Sequence, residues 1–154
     1  MKIALGADHA GFELKEKIRQ HLVKSGYEVE DRGTNSDASV DYPDFARAVS
    51  EEVATGKASW GILVCGTGIG MSMAANKVPG IRAARVCTEV DAQLSREHND
   101  ANVITLGARL LDEPTALRIV DRWLNTGFAG GRHESRVRKI HDIENPEQRR
   151  VRSA

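Results

Sequence analysis

The chain predicts a single doubly wound α/β domain built on a five-stranded parallel sheet. Short apolar runs alternate strictly with helix-like stretches, and parallel strands need such crossovers. One run passes straight into a glycine cluster, as buried strands of such domains do, and polar residues gather where the runs end. At 154 residues the chain suits one domain with a real core.

The first strand is read at Lys2 to Gly6. Ala10 to Lys24 follows as a helix, with Leu14, Ile18 and Leu22 on one face. Tyr27 to Asp31 is a second, weaker strand, and Phe45, Val49 and Val53 stripe the helix after it. Trp60 to Cys65 is the third strand, and its helix begins inside the glycine turn. Ile81 to Val86 is the fourth, followed by a helix over Glu89 to His98, opened by Thr88 as a cap, with Val90 and Leu94 predicted inward. Val103 to Leu106 is the fifth, before a helix over Glu113 to Asn125 striped by Leu117, Val120 and Leu124. Beyond Gly127 the pattern changes. Gly130-Gly131 breaks the chain, and Arg132 to Ile143 reads as a basic helix with Arg132 and Arg136 on one face. Residues 1–145 are expected to form the domain and 146–154 a charged, flexible tail.

Composition narrows the functional classes. Formal net charge is zero, which argues against a general nucleic-acid or anionic-membrane binder. No segment approaches the ~20 apolar residues of a membrane span. The opening Met-Lys-Ile-Ala-Leu-Gly-Ala-Asp-His puts an acid and a histidine where a signal peptide needs an apolar stretch. Cys65 and Cys87 sit at strand ends in separate units without metal-type spacing, so a reduced cytoplasmic protein without a metal is expected.

Residues 60–73, Trp-Gly-Ile-Leu-Val-Cys-Gly-Thr-Gly-Ile-Gly-Met-Ser-Met, carry most of the chemistry. Glycines let backbone N–H groups converge, and such amides stabilise an anion, a thiolate included. A dinucleotide fingerprint needs G-x-G-x-x-G, but the sixth position is Met71 counted from Gly66 and Met73 from Gly68. Some twenty residues on, Arg82 and Arg85 stand where an acid should hold a ribose. A P-loop's Gly-Lys-Ser/Thr ending is also missing. What remains is a general cradle for a phosphate or a developing enediolate. Cys65 reads as either a small buried hydrophobe or a base, and its place before the glycines favours the base; Cys87 reads as structural. Asp8 is either a helix cap or, with His9, part of a ligand site. His98 could simply complement a helix dipole, and Arg132 with Arg136 could be a solvated face or a phosphate grip.

Six segments occur in one order: Gly6-Ala-Asp8-His9-Ala-Gly11, Asp41-Tyr42-Pro43-Asp44, Cys65-Gly-Thr-Gly-Ile-Gly70, Ala75-Asn-Lys-Val-Pro-Gly-Ile-Arg82, His98-Asn-Asp100 and Gly130-Gly-Arg-His133. Together they resemble the type B ribose-5-phosphate isomerases, in the family that also holds the galactose-6-phosphate isomerase subunits. The resemblance covers Met1 to about Ile143. It implies a Rossmann-like fold and a metal-free, cofactor-free aldose–ketose isomerase of the pentose phosphate pathway. It also implies homodimers, often paired further, with interface active sites and a C-terminal helix that reaches the partner. Carried over by position, Cys65 would move the proton between C2 and C1. Thr67 and the amides of Gly66, Gly68 and Gly70 would hold the enediolate. His98 would open the furanose ring, and Asp8, Tyr42 and Asn99 would contact the sugar. His9, Arg132 and Arg136 would bind phosphate, assisted by Arg109. Some members replace the cysteine with serine and place a glutamate base four residues later; here that position is Ile69, so the cysteine branch applies. The competing readings are an isomerase of another sugar phosphate (allose 6-phosphate, galactose 6-phosphate or a tetrose phosphate) and a non-catalytic sugar-phosphate sensor.

Overall fold

The computed structural model describes residues 1–153, and at 148, 149, 152 and 153 the backbone alone. Five parallel strands, β1 (Lys2–Ala7), β2 (Glu28–Asp31), β3 (Trp60–Cys65), β4 (Ala83–Arg85) and β5 (Val103–Gly107), lie in the order β2-β1-β3-β5-β4. The fold class is the predicted one. β3 and β5 are the inner neighbours, with Cys65 in register with Gly107. Both strands therefore end side by side at the carboxyl edge of the sheet.

Burial on both faces explains the near-continuous apolar composition of β1, β3 and β5. On one face α1 (Phe12–Lys24) and α5 (Glu113–Leu124) cover Ile3, Leu5, Ile62, Val64, Ile104 and Leu106. Leu14, Ile18 and Leu22 of α1 are buried there as the spacing requires. On the other face α2 (Tyr42–Ala54) and α3 (Ile69–Ala75) cover Ala4, Leu63, Cys65 and Val103 through Val49, Val53, Met71 and Ala75. Lys15, fully buried on α1, reaches Asp31 at the end of β2 with an Nζ–Oδ2 distance of 2.6 Å. The other oxygen of Asp31 accepts the Gly33 N–H at 2.9 Å, which fixes the start of the loop leading to α2.

Three expectations need correction. On α4 (Glu89–Glu97), Val90 and Leu94 face outward, being 62% and 40% exposed. The inward residues are Ala92, Ser95 and Arg96. Arg96 lays its guanidinium 4.0 Å over the ring of Trp60 and donates to the Ala101 carbonyl at 2.8 Å. A buried arginine satisfied in this way takes the place that hydropathy assigns to leucine. On α5 the deepest residues are Ala116, Ile119, Val120 and Trp123, with Leu117 and Leu124 at the margin. The stretch read as a tail forms α7 (Pro146–Ser153) after α6 (Arg132–Glu144), with Ala154 outside the described residues. Thr88 caps α4 as predicted, in a capping box with Asp91.

Trp123 is fully buried and meets Trp60 edge to face, with centroids 5.2 Å apart. Trp123→Ala is expected to destabilise the fold by about 3–5 kcal/mol. The measurement is a urea denaturation midpoint, which should fall at unchanged m-value. Trp123→Phe, which keeps a ring against Trp60, should lose clearly less.

Candidate active site

A cleft of about 500 Å³ opens beyond the carboxyl ends of the strands, where ligands bind in open α/β sheets. Asp8, His9, Tyr42, Cys65, Gly66, Thr67, Gly70 and Arg109 all line it. A wider groove of about 590 Å³ lies between α4 and α5. Arg118 and Arg122 there each lie 3.7 Å from Glu89, and neither a cysteine nor a histidine lines it. The smaller cleft carries the chemistry.

Cys65 ends β3 and is only 4% exposed. Its sulfur accepts a hydrogen bond from the Gly68 N–H at 3.1 Å. Gly68 reaches that position in the left-handed region, at φ +76°, which glycine adopts without a Cβ penalty. The glycine turn therefore serves the thiol directly, and the Gly68 amide is taken up by sulfur rather than left for a substrate oxygen. The Ile69 N–H donates to Thr67 Oγ1 at 3.2 Å. A hydroxyl that accepts in this way can aim its own proton into the cleft.

Behind the turn, two side chains from the sheet hold consecutive carbonyls. Thr105 Oγ1, fully buried on β5, donates to the Gly68 carbonyl at 2.7 Å. Arg85 Nε, on edge strand β4, donates to the Thr67 carbonyl at 2.9 Å. Sequence reasoning missed both. A threonine inside the apolar run of β5 was the available signal, whereas Arg85 stood out only as an arginine where a ribose-binding acid would be.

Asp8 is not the N-cap of α1, which is Gly11. The Asp8 Oδ1 accepts the Gly11 N–H at 3.0 Å, closing the turn into α1, and the residue also lines the cleft. His9 Nδ1 lies 3.2 Å from both the N–H and the carbonyl of Val40, so its tautomer sets which bond forms. Tyr42 opens α2 and presses its ring on Gly70, where a Cβ would come within 2.5 Å of it. Arg109 donates its backbone N–H to the Gly66 carbonyl at 3.0 Å and lays its guanidinium over Gly66.

The remaining predicted residues form a second group. His98 caps the C-terminal end of α4 and stacks on His133, with centroids 4.3 Å apart and planes within 15°. His133 stands in the first turn of α6 between Arg132 and Arg136. Burial first, then the His98, Arg132 and Arg136 charges, push the His133 imidazole below its ordinary value. Asn99 gives its carbonyl to Arg82 Nε at 3.0 Å, and Arg82 also donates to the Asp100 carbonyl at 2.7 Å and to His141 of α6. Arg82 thus ties the His98–Asp100 turn to α6. His133 and Arg82 had been quoted in motifs, yet no role was drawn for them.

Within one chain the two groups are apart. α4 feeds into parallel strand β5, so His98 at its end lies toward the amino edge of the sheet. Cys65 lies at the carboxyl edge, and the five residues of β5 separate the edges by roughly 16 Å.

The profile of the ribose/galactose isomerase family matches residues 3–140. The chain is 53% identical to ribose-5-phosphate isomerase B of Escherichia coli K12, over 93% of this chain and 96% of the relative. It is similar in structure to Clostridium thermocellum ribose-5-phosphate isomerase B, with TM-score 0.94, 54% identity and coverage of 96% and 99%. The Mycoplasma genitalium ribose-5-phosphate isomerase B structure with bound ribulose 5-phosphate matches with TM-score 0.90 and 44% identity, covering 93% and 95%. Among the described residues no helix is long and apolar enough to cross a membrane.

The lowered His133 has a consequence for acid stability. Its neutral ring is favoured in the folded chain, so the unfolded chain binds the proton more readily. Stability present above the ordinary value near 6.5 is lost as pH falls from there through the folded value. An NMR titration should place the His133 midpoint below 6.5. His133→Asn should lose less stability than the parent between about pH 7.5 and about pH 5.5. A midpoint at or above the ordinary value would contradict this.

Proposed function

The chain belongs to the ribose/galactose isomerase family, and on that premise we propose that it interconverts D-ribose 5-phosphate and D-ribulose 5-phosphate through an enediolate. The observation that carries the reading is a buried thiol, held by the Gly68 amide, at the floor of a cleft lined by Asp8, His9, Tyr42 and Thr67. The family relation and the ribulose 5-phosphate complex of the Mycoplasma genitalium relative support the choice of substrate.

In this mechanism His98 first transfers a proton that opens the furanose ring, a task suited to an imidazole. Cys65, as thiolate, then takes the proton from C2 of the open aldose. The C2 electron pair forms the C1=C2 bond and the carbonyl electrons move to O1. A proton passes from O2 to O1, the C2 carbonyl forms, and the Cys65 thiol returns its proton to C1. Thr67 and the amides of Gly66 and Gly70 stabilise the oxygen charge, worth several kcal/mol in such cradles. Asp8, Tyr42 and Asn99 bind hydroxyls, while His9, Arg109, Arg132 and Arg136 grip phosphate and position the sugar.

We further propose that a second copy completes each site, in a homodimer or a dimer of dimers. The roughly 16 Å between sheet edges keeps His98, Asn99, Arg132 and Arg136 from the Cys65 cleft of their own chain. α6, tied to the His98–Asp100 turn by Arg82 and the imidazole stack and exposing Ile140 and Ile143, is suited to meet a neighbour together with that turn. Residues 1–145 form the catalytic domain on this reading. A cytoplasmic setting fits two unpaired cysteines, one of them the base.

Turnover of ribose 5-phosphate, ribulose 5-phosphate and allose 6-phosphate by purified protein, with chelator present, tests the activity. Turnover should survive the chelator, and inactivity on all three would end the isomerase reading. Cys65→Ala should lower kcat roughly 10²–10⁴-fold with little change in phosphate affinity, whereas Arg136→Ala should chiefly raise KM. Mixing inactive Cys65→Ala with inactive His98→Asn protein tests the shared site. Random re-pairing should restore about a quarter of parental activity, because half the dimers then hold one intact site of two. No recovery despite verified subunit exchange would confine each site to one chain.

A further inference from the structure

The glycine turn is anchored from the sheet as well as by its own bonds. Its two central carbonyls are gripped from the sheet by Arg85 and Thr105, which are register partners on β4 and β5. A peptide unit is planar and trans, so its C=O and the following N–H point in opposite directions. Fixing the Thr67 carbonyl therefore fixes where the Gly68 N–H points, and that N–H is the donor to Cys65 Sγ at 3.1 Å. Among the described residues, Arg85 Nε is the one donor on that carbonyl, at 2.9 Å. Thr105 holds the next peptide through the Gly68 carbonyl at 2.7 Å, which also accepts the Ser72 N–H of α3 at 3.1 Å. The residue between the two planes is a left-handed glycine at φ +76°, whose backbone freedom makes the anchor on the Thr67 carbonyl count.

We infer that Arg85 is a positioning residue for Cys65, acting through the 67–68 peptide to favour the thiolate. The guanidinium draws electron density toward the Thr67 oxygen and leaves the Gly68 N–H a stronger donor at its far end. A thiolate gains more from such a donor than a thiol does, so the bond biases the proton off sulfur before substrate arrives. Arg85 touches neither the sulfur nor a reacting atom in this role. The role rests on Cys65 being the base proposed above.

The experiment measures iodoacetamide alkylation of Cys65 across pH without substrate, read by peptide mass so that Cys87 does not interfere. Arg85 is exposed on an edge strand, so Arg85→Gln is not expected to threaten the fold. The variant should react roughly three- to tenfold more slowly near neutral pH, with the half-maximal rate moved to higher pH and an unchanged plateau in alkali. The shift should persist at about 0.5 M salt, where a long-range effect of the lost charge is screened. In turnover, kcat should fall by a similar factor while KM stays within roughly twofold. An unmoved pH profile, or a shift that vanishes at high salt, overturns the inference. Turnover failing in the parent while the profile still moves would instead remove the isomerase reading and leave the peptide coupling intact.

Discussion

At the end of β5 the backbone of Gly107 lies against that of Thr67, so close that a Cβ on Gly107 would stand 2.8 Å from the Thr67 carbonyl carbon and oxygen. A Cβ on Gly68 would likewise come within 3.0 Å of the Leu106 carbonyl carbon. The turn after β3 therefore sits directly on the neighbouring strand, and this seating governs the rest of the site. It brings the Gly68 carbonyl within reach of the buried Thr105 hydroxyl and lets Arg85 reach Thr67 from the edge strand. It also starts α3 at Ile69, which places Met71 and Ala75 under the sheet and Gly70 against Tyr42. A larger residue at 68 or 107 would lift the turn and separate the amide from the sulfur together.

The same sheet explains why the predicted residues fall into two groups. Parallel strands bring every βα junction to one edge and every αβ junction to the other. Asp8, Cys65 and Arg109 follow strands and share the carboxyl edge; His98 follows a helix and does not. The His98–Asp100 turn is fastened to α6 by Arg82 and the imidazole stack, and to α4 by Arg96, which binds Asp100 at 2.7 Å. Each group is well ordered by its own contacts. What joins them is the proposed second subunit, whose α4 end and α6 would bring His98 and two arginines as one preassembled unit.

Much of this was legible in the residues because the governing physics is local. The succession of strands and helices along the chain, the glycine turn, the Thr88 cap and the Leu14–Ile18–Leu22 face all follow from periodicity and backbone freedom. Where sequence reasoning failed, a side chain acted outside its hydropathy class. Arg96 is buried because two tryptophan rings and a carbonyl receive it, so the outward Val90 and Leu94 were read as the core face. Thr105 and Arg85 lie 37 and 18 residues from the carbonyls they hold, a pairing that appears only once β4 and β5 lie side by side. His133 became visible as a partner of His98 only when α6 folded back to α4 through the Ala129 N–H on the Glu97 carbonyl.

The arrangement around Cys65 suits a base better than a covalent nucleophile. Its sulfur is nearly buried at the end of a strand, and the Gly68 N–H engages one of its lone pairs. A nucleophile must bring sulfur within bonding distance of carbon along a narrow line of attack, which such a pocket hinders. A base needs only one lone pair aimed at the proton to be moved, and a cis-enediolate presents C1 and C2 to it on one face. Covalent attack would also spend the thiolate that the amide stabilises, whereas a proton shuttle regenerates it each turnover. On the proposed mechanism the glycine turn contributes most by holding sulfur ready to receive a proton, and the phosphate is gripped by arginines, whose planar guanidinium matches its oxygens.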